Sequence, residues 1–202
     1  MSLKFANCTK KFKDHFILDK VDFEISKGLF HLKGRNGAGK STLLRIISGL
    51  DNQYSGNIIK YEDPTLYLNH DPIGIHPFTI RENLEILWNT FKIIPSTKQL
   101  SRVKDFFNGN LDVSYSRAST GMKAKIGLSL IFVKDWETIL IDETMSTLDT
   151  ESIDMLSERL VDLAKKEMAT IIYVSHSMVN KRLNENSSII YVGEGELMWE
   201  NV

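Results

Sequence analysis

A chain of 202 residues is long enough for one substantial hydrophobic core and short for two, so a single domain spanning 1–202 is expected. Its 25 Lys and Arg nearly balance 26 Asp and Glu, and a net charge of −1 offers no global electrostatic drive toward nucleic acid or an anionic membrane. The single cysteine, Cys8, excludes an internal disulfide and fits a reducing compartment, and no apolar run approaches the ~18 residues of a membrane span.

Residues 3 to 25 alternate apolar and polar positions around a turn at Lys13-Asp14-His15, which reads as two or three antiparallel strands. Phe12 and Phe16 are the aromatics there; most strand aromatics are core, yet one held beside a nucleotide can stack on adenine. Leu29 to Lys33 is strand-like and runs into Gly34-Arg35-Asn36-Gly37-Ala38-Gly39-Lys40-Ser41, followed by an amphipathic helix from Thr42 that Gly49 closes. The octapeptide matches G-x-x-x-x-G-K-[ST] in the strand, loop and helix order that a phosphate-binding loop requires. Glycines let successive N–H groups turn toward phosphate oxygens at a helix N-terminus whose dipole favours anions. Lys40 would set a positive charge between the β and γ phosphates, and the Ser41 hydroxyl would be a Mg²⁺ ligand. Gly34, Asn36, Gly37, Ala38, Gly39, Lys40, Ser41 and Thr42 are therefore the candidate nucleotide-phosphate contacts.

After turn-rich residues 51–57, Ile58-Ile59-Lys60 and Thr65 to Leu68 read as two short strands, and Pro72, Gly74 and Pro77 make 69–78 an irregular surface loop. Capping boxes at Thr79-Ile80-Arg81-Glu82 and Ser96-Thr97-Lys98-Gln99 each open a helix, so a helical insertion is expected over 69–135. Thr138 to Ile141 is a continuous apolar run suited to a parallel strand buried on both faces, ending in Asp142-Glu143. A helix is expected over Ser152 to Met168, a second buried strand over Thr170 to Ser175 ending at His176, and a terminal hairpin turned by Gly193-Glu194-Gly195.

Strand C-terminal ends are where ligands bind in open α/β sheets. There Asp142 would reach the loop's Mg²⁺ through water, Glu143 would orient or deprotonate an attacking water, and His176, one βαβ unit later, would hold the γ-phosphate and water in line.

The set resembles an ATP-binding-cassette (ABC) ATPase over nearly the whole chain. Gly34 to Ser41 is similar to its Walker A, Ile139 to Glu143 to its Walker B with catalytic Glu, Ser146-Thr147-Leu148-Asp149 to its D-loop, and His176 to its switch histidine. Ala118-Ser119-Thr120-Gly121-Met122 resembles the signature, and Phe12 falls where the family's adenine-stacking aromatic lies. The resemblance implies an α/β fold: a P-loop NTPase (RecA-like) core with a parallel central sheet and an N-terminal antiparallel β subdomain (1–68 and 136–202), and an inserted helical subdomain carrying the signature (69–135). It implies ATP and Mg²⁺, with Ser119, Gly121 and Asp149 joining the nucleotide contacts. It also implies a head-to-tail homodimer or heterodimer and a separate transmembrane permease, on the cytoplasmic face of the membrane, with no nucleic acid involved. The alternative is a soluble ABC ATPase or a nucleotide-gated binding module with little turnover.

Three departures stand out. His70 or Asp71 takes the place of the family's Gln after the strand ending at Leu68, and Asp71 could itself contact Mg²⁺; Thr120 replaces a signature Gly; Thr144 replaces the Pro common after the catalytic Glu. The Tyr67 to Pro72 stretch is similar to small exporter-type cassettes such as the haem-exporter ATPase of cytochrome c maturation, and the chain's end soon after the last hairpin argues against importers with C-terminal regulatory domains.

Overall fold

The alternating and the continuous apolar runs sort into two separate sheets. The computed structural model describes residues 2–13, 15–59, 64–175 and 180–200. Strand β1 (Leu3–Phe12) pairs antiparallel with β2 (His15–Ile25); β3 (Gly28–Lys33) leads into helix α1 (Lys40–Ser48); β4 (Ser55–Ile59) returns antiparallel to the other edge of β1, completing a sheet ordered β2-β1-β4. Then come β5 (Thr65–Leu68), the helices α2 (Ile80–Thr90), α3 (Thr97–Phe106), α4 (Thr120–Leu128) and α5 (Leu130–Val133), β6 (Thr138–Asp142), α6 (Thr150–Lys165), β7 (Thr170–Val174), α7 (Lys181–Asn186), β8 (Ser188–Gly193) and β9 (Glu196–Trp199). The second sheet runs β5-β6-β7-β3-β8-β9, parallel throughout except for the terminal β8–β9 hairpin.

Every residue of β6 and β7 is buried, as expected of central parallel strands covered on both faces. The two-residue period sends neighbouring side chains to opposite layers. Ile139, Ile141, Ile171 and Tyr173 join the core beneath α2–α6, whereas Leu140, Ile172 and Val174 join the one formed with α1 and the three-stranded sheet. Because β5, β6, β7 and β3 run parallel, their C-terminal ends share one edge, and the residues that follow them converge there.

Both capping boxes are present. Thr79 Oγ1 accepts the Glu82 N–H at 3.2 Å while Glu82 accepts the Thr79 N–H at 2.7 Å; Ser96 and Gln99 do the same for α3. The sequence reading left open which sheet each of the two short strands joins: β4 joins the N-terminal sheet, beginning at Ser55 instead of Ile58, and β5 joins the edge of the parallel one. Helix α1 begins at Lys40 instead of Thr42. Helix α6 begins at Thr150 instead of Ser152, because the Asp149 carboxylate accepts the Ser152 N–H at 2.9 Å and caps it. Helix α7 was not expected: it has six residues, and Leu183 is the one buried among them.

Candidate active site

The loop between β3 and α1 is shaped by steric demands that glycine alone meets. Gly39, the N-cap of α1, has φ 98°, and a Cβ there would stand 2.4 Å from Ile17 Cγ2. No acidic residue occupies the first turn of α1, so the partial positive charge of that helix end is left for an anion. Lys40 is buried, and its Nζ donates to the carbonyls of Gly34 at 2.9 Å and Arg35 at 3.1 Å, which folds the amine back over the loop. Asn36, Gly37 and Ser41 are exposed, and Ala38 and Thr42 partly so.

An open groove of about 1040 Å³ runs along this loop, lined by Gly34 to Ala38 and Lys40, by Phe16 and Ile17 of β2, by Ser175, and by Tyr191 and Met198 of the terminal hairpin. Of the two aromatics noted in the sequence, Phe16 lines the groove. Phe12, at the end of β1, is 61% exposed and lies outside that lining.

At the end of β6, Asp142 is buried. Its Oδ2 accepts from the Tyr67 phenol at 3.3 Å, whereas Oδ1 is buried without a hydrogen-bond partner. Burial and then the Asp142 charge push the Tyr67 hydroxyl up to about 12, which keeps it a neutral donor. Among the described residues no group of three or more His, Cys, Asp or Glu side chains could cage a metal ion. Mg²⁺ is commonly held by one or two protein oxygens together with phosphate and water. An orphaned buried carboxylate oxygen and an exposed hydroxyl at the first turn of α1, Ser41, fit that kind of ion.

Glu143 follows with φ 59°, a left-handed backbone uncommon for a residue with a side chain, while its N–H donates to the Val174 carbonyl at 3.2 Å. The strained residue is thereby fastened across the ends of β6 and β7. Thr144 is buried, with its hydroxyl 3.0 Å from the Asn69 carbonyl and 3.3 Å from those of Leu68 and Asp142. A proline in that position would have no such donor, so the departure at Thr144 creates a tie between β6 and the segment after β5. In that segment Asp71 and His70 are both largely exposed, 3.5 Å apart, and Asn69 Nδ2 donates to Asp71 at 2.9 Å. These residues line a small recess with Thr144 and lie outside the groove along the loop. His176 lies outside the described residues. The residue before it is anchored: His31 Nε2 is 3.3 Å from the Ser175 carbonyl, and its ring stacks on Tyr173 at 4.6 Å. Burial pushes the His31 imidazole below its usual range.

Ser119 is the N-cap of α4, its Oγ accepting the Met122 N–H at 3.2 Å, and it is exposed. Neither Ser119 nor Gly121 lines the groove beside Lys40. Gly121 instead abuts the turn after Glu143, where a Cβ would stand 2.5 Å from the Thr147 carbonyl oxygen. One turn further on, buried Lys125 donates to Asp149 Oδ2 at 2.7 Å and lies over the Phe106 ring. Helix α4 and the Ser146 to Asp149 segment are thus one packed unit. Partial burial pushes the Asp149 carboxyl up, but hydrogen bonds from Lys125 and from the Ser152 N–H and hydroxyl outweigh it and hold the group down to about 2.

A carboxyl depressed in the folded state stabilises fully above its ordinary 3.8 and loses that contribution as pH falls toward about 2. Lys125→Met should therefore remove part of the acid sensitivity. Because the Asp149 side chain is 51% exposed and remains hydrated, the expected cost is small, about 1–2 kcal/mol at neutral pH. Urea unfolding should show the gap between wild type and variant closing as pH drops to about 3 and below.

Tyr67, Thr144, Lys125 and His31 are contributors that motif spacing does not reveal. Each acts through a partner remote in sequence, and only strand register or helix contact brings the pairs together.

Comparison with known proteins gives a consistent picture. The family model described as "ABC transporter" matches residues 18–146. The chain is 30% identical over 202 residues to the zinc import ATP-binding protein ZnuC of Rickettsia conorii, covering 95% of this chain and 83% of that one. It is 28% identical over 214 residues to the Nod factor export ATP-binding protein I of Rhizobium meliloti, spanning 96% of this chain and 62% of the relative's length. Among solved structures, an ATP-binding subunit of an ABC transporter superposes with TM-score 0.79 at 22% identity, covering 98% of this chain and 88% of that chain. The dimeric bacterial cassette MJ0796 superposes with TM-score 0.74 at 20% identity over 98% and 97%. At these identities the superpositions speak to the fold.

Proposed function

The chain belongs to the ABC transporter family, and we propose that it is an ATP-binding and ATP-hydrolysing subunit that drives a separate membrane permease by pairing with a second cassette. The observation that carries this reading is the meeting at one sheet edge of a complete phosphate loop, a buried Asp142 with an unpartnered oxygen, and Glu143 fixed at φ 59°.

In this reading the loop N–H groups and Lys40 bind the triphosphate at the end of α1, with Asn36, Gly37, Ala38, Gly39 and Thr42 contributing contacts. Adenine stacks at the aromatic end of the groove, for which Phe12 and Phe16 are the candidates, Phe16 being the one in its lining. Ser41 and Asp142 would hold Mg²⁺, whose chemistry when bound is to neutralise phosphate charge; Asp71 is a further candidate on the segment that Thr144 ties to β6. Glu143 takes the proton from the attacking water or aligns it, and His176 holds the γ-phosphate side. Ser119 and Gly121 serve the nucleotide of a second chain, since both lie away from this chain's own groove. The exposed Ser119 hydroxyl and the partly exposed Gly121 N–H at the N-terminus of α4 suit a phosphate there. A head-to-tail pair buries two nucleotides at its interface, and its closure moves the permease.

Zinc and Nod factor appear in the names of relatives that work in opposite directions, import and export. Substrate and direction accordingly belong to the permease. Among the described residues no helix is long and apolar enough to cross a membrane, consistent with a peripheral subunit on the cytoplasmic face. The test is phosphate release from Mg-ATP by the purified chain, alone and with the permease that co-purifies with it from membranes. Stimulated release is expected; absence of turnover with the permease present would leave only a nucleotide-gated binding module.

A further inference from the structure

Strand β5 borders β6 with Tyr67 opposite Leu140 and Leu68 opposite Ile141. Since side chains alternate, Tyr67, Leu140 and Asp142 share the sheet face that α1 covers, and the Tyr67 ring packs partly buried into that core. From there its hydroxyl reaches Asp142 Oδ2 at 3.3 Å. A buried carboxylate with one oxygen bonded and the other bare is costly to maintain, and the bare oxygen, Oδ1, belongs to the residue that ends the strand at the nucleotide edge. The Tyr67 ring packs among hydrophobic neighbours, which places its hydroxyl beside the Asp142 carboxylate, so the oxygen facing it is bonded and the other is left bare.

We propose that Tyr67 is a positioning residue for the divalent cation: its hydroxyl engages Oδ2, holds the Asp142 side chain in one orientation and thereby reserves Oδ1 for the cation. Without the hydroxyl, both oxygens would be free to rotate or to be satisfied by water, and the cation would have to reorder the side chain on binding. The proposal rests on the nucleotide-site reading above and adds a residue that no motif contains.

Tyr67→Phe keeps the ring and its packing and removes one oxygen. Binding of a fluorescent non-hydrolysable ATP analogue is measured against MgCl₂ concentration and again in EDTA. At 3.3 Å the bond is long for O–H···O, so the expected effect is modest. The Mg²⁺ concentration giving half of the affinity gain should rise about three- to tenfold, the range for loss of one hydrogen bond. Affinity in EDTA should stay within about twofold of wild type. In an Asp142→Asn background, the Tyr67→Phe change should have no further effect on the Mg²⁺ response, because its route runs through Asp142. An unmoved Mg²⁺ midpoint overturns the proposal. So does an equal loss in EDTA, or an effect that persists in the Asp142→Asn background, since either makes Tyr67 a packing residue. Failure of the wild-type chain to bind the analogue would instead remove the nucleotide-site reading, so the two failures are distinguishable.

Discussion

Glu143→Gln should lower steady-state phosphate release by about 10²- to 10⁴-fold while leaving Mg-ATP binding intact, the range for removing a general base. The amide copies the shape of the carboxylate but cannot take a proton from water. Backbone strain is not a confounding factor, because Gln has no branching at Cβ and meets φ 59° on the same terms as Glu. The N–H bond to the Val174 carbonyl is a main-chain contact and survives the exchange. With hydrolysis blocked, the nucleotide-loaded pair has no route to reopen and should accumulate as a dimer. Light scattering of the variant with ATP and Mg²⁺ reads this directly. A chain that stays monomeric under these conditions, with no partner chain needed, counts against homodimerisation and favours pairing with a different cassette. If the variant instead retains wild-type turnover, Glu143 is not the base, and the strained backbone at its position needs another reason.

What could be read from the sequence was local or covered on both faces. Eight consecutive residues specify the phosphate loop, because the chemistry of wrapping a phosphate is completed within that span. The capping boxes at Thr79 and Ser96 involve residues three apart and depend on nothing remote. Strands β6 and β7 declare themselves because full burial leaves no polar residue between Ile139 and Ile141 or between Ile171 and Val174. The fold class, a parallel sheet with an antiparallel N-terminal sheet, follows from these runs together with the resemblance, and the superposed cassettes agree. The allocation of β4 and β5 to different sheets was illegible, since both are short and register is a property of the partner strand. Helix α7 offered no period to detect, with one buried side chain in six residues. At the site, the motif residues were legible and their supports were not. Tyr67 and Asp142 are 75 positions apart, and Lys125 and Asp149 are 24 apart, joined only by tertiary contact.

Gly121→Ala tests the packed unit formed by helix α4 and the segment that follows Glu143. Two effects oppose each other. Alanine in the first turn of α4 gains about 0.5–1 kcal/mol of helix propensity over glycine. Against this, its Cβ would stand 2.5 Å from the Thr147 carbonyl oxygen. That oxygen is backbone, so relief requires moving the turn at Thr144–Thr147 or tilting α4, and overpacking of this kind costs about 1–3 kcal/mol. The clash should win, with a net loss of about 1 kcal/mol visible as a lowered urea midpoint. The functional loss should be larger than the stability loss. The displaced turn is bounded by Glu143 on one side and by Asp149 on the other, where Asp149 both caps α6 and receives Lys125. A shift there would misalign the surface proposed to meet a second chain, whereas Gly121 lies outside the lining of this chain's own groove. Binding of a fluorescent ATP analogue to the monomer should therefore stay within about twofold of wild type, while Mg-ATP-driven dimerisation in the Glu143→Gln background weakens by about tenfold or more, equivalent to ~1.4 kcal/mol. Sedimentation velocity of the double variant against nucleotide concentration separates the two. Unchanged dimerisation would mean that this face of α4 takes no part in the composite site, and parallel loss of monomer binding would mean that the loop and α4 are coupled within one chain.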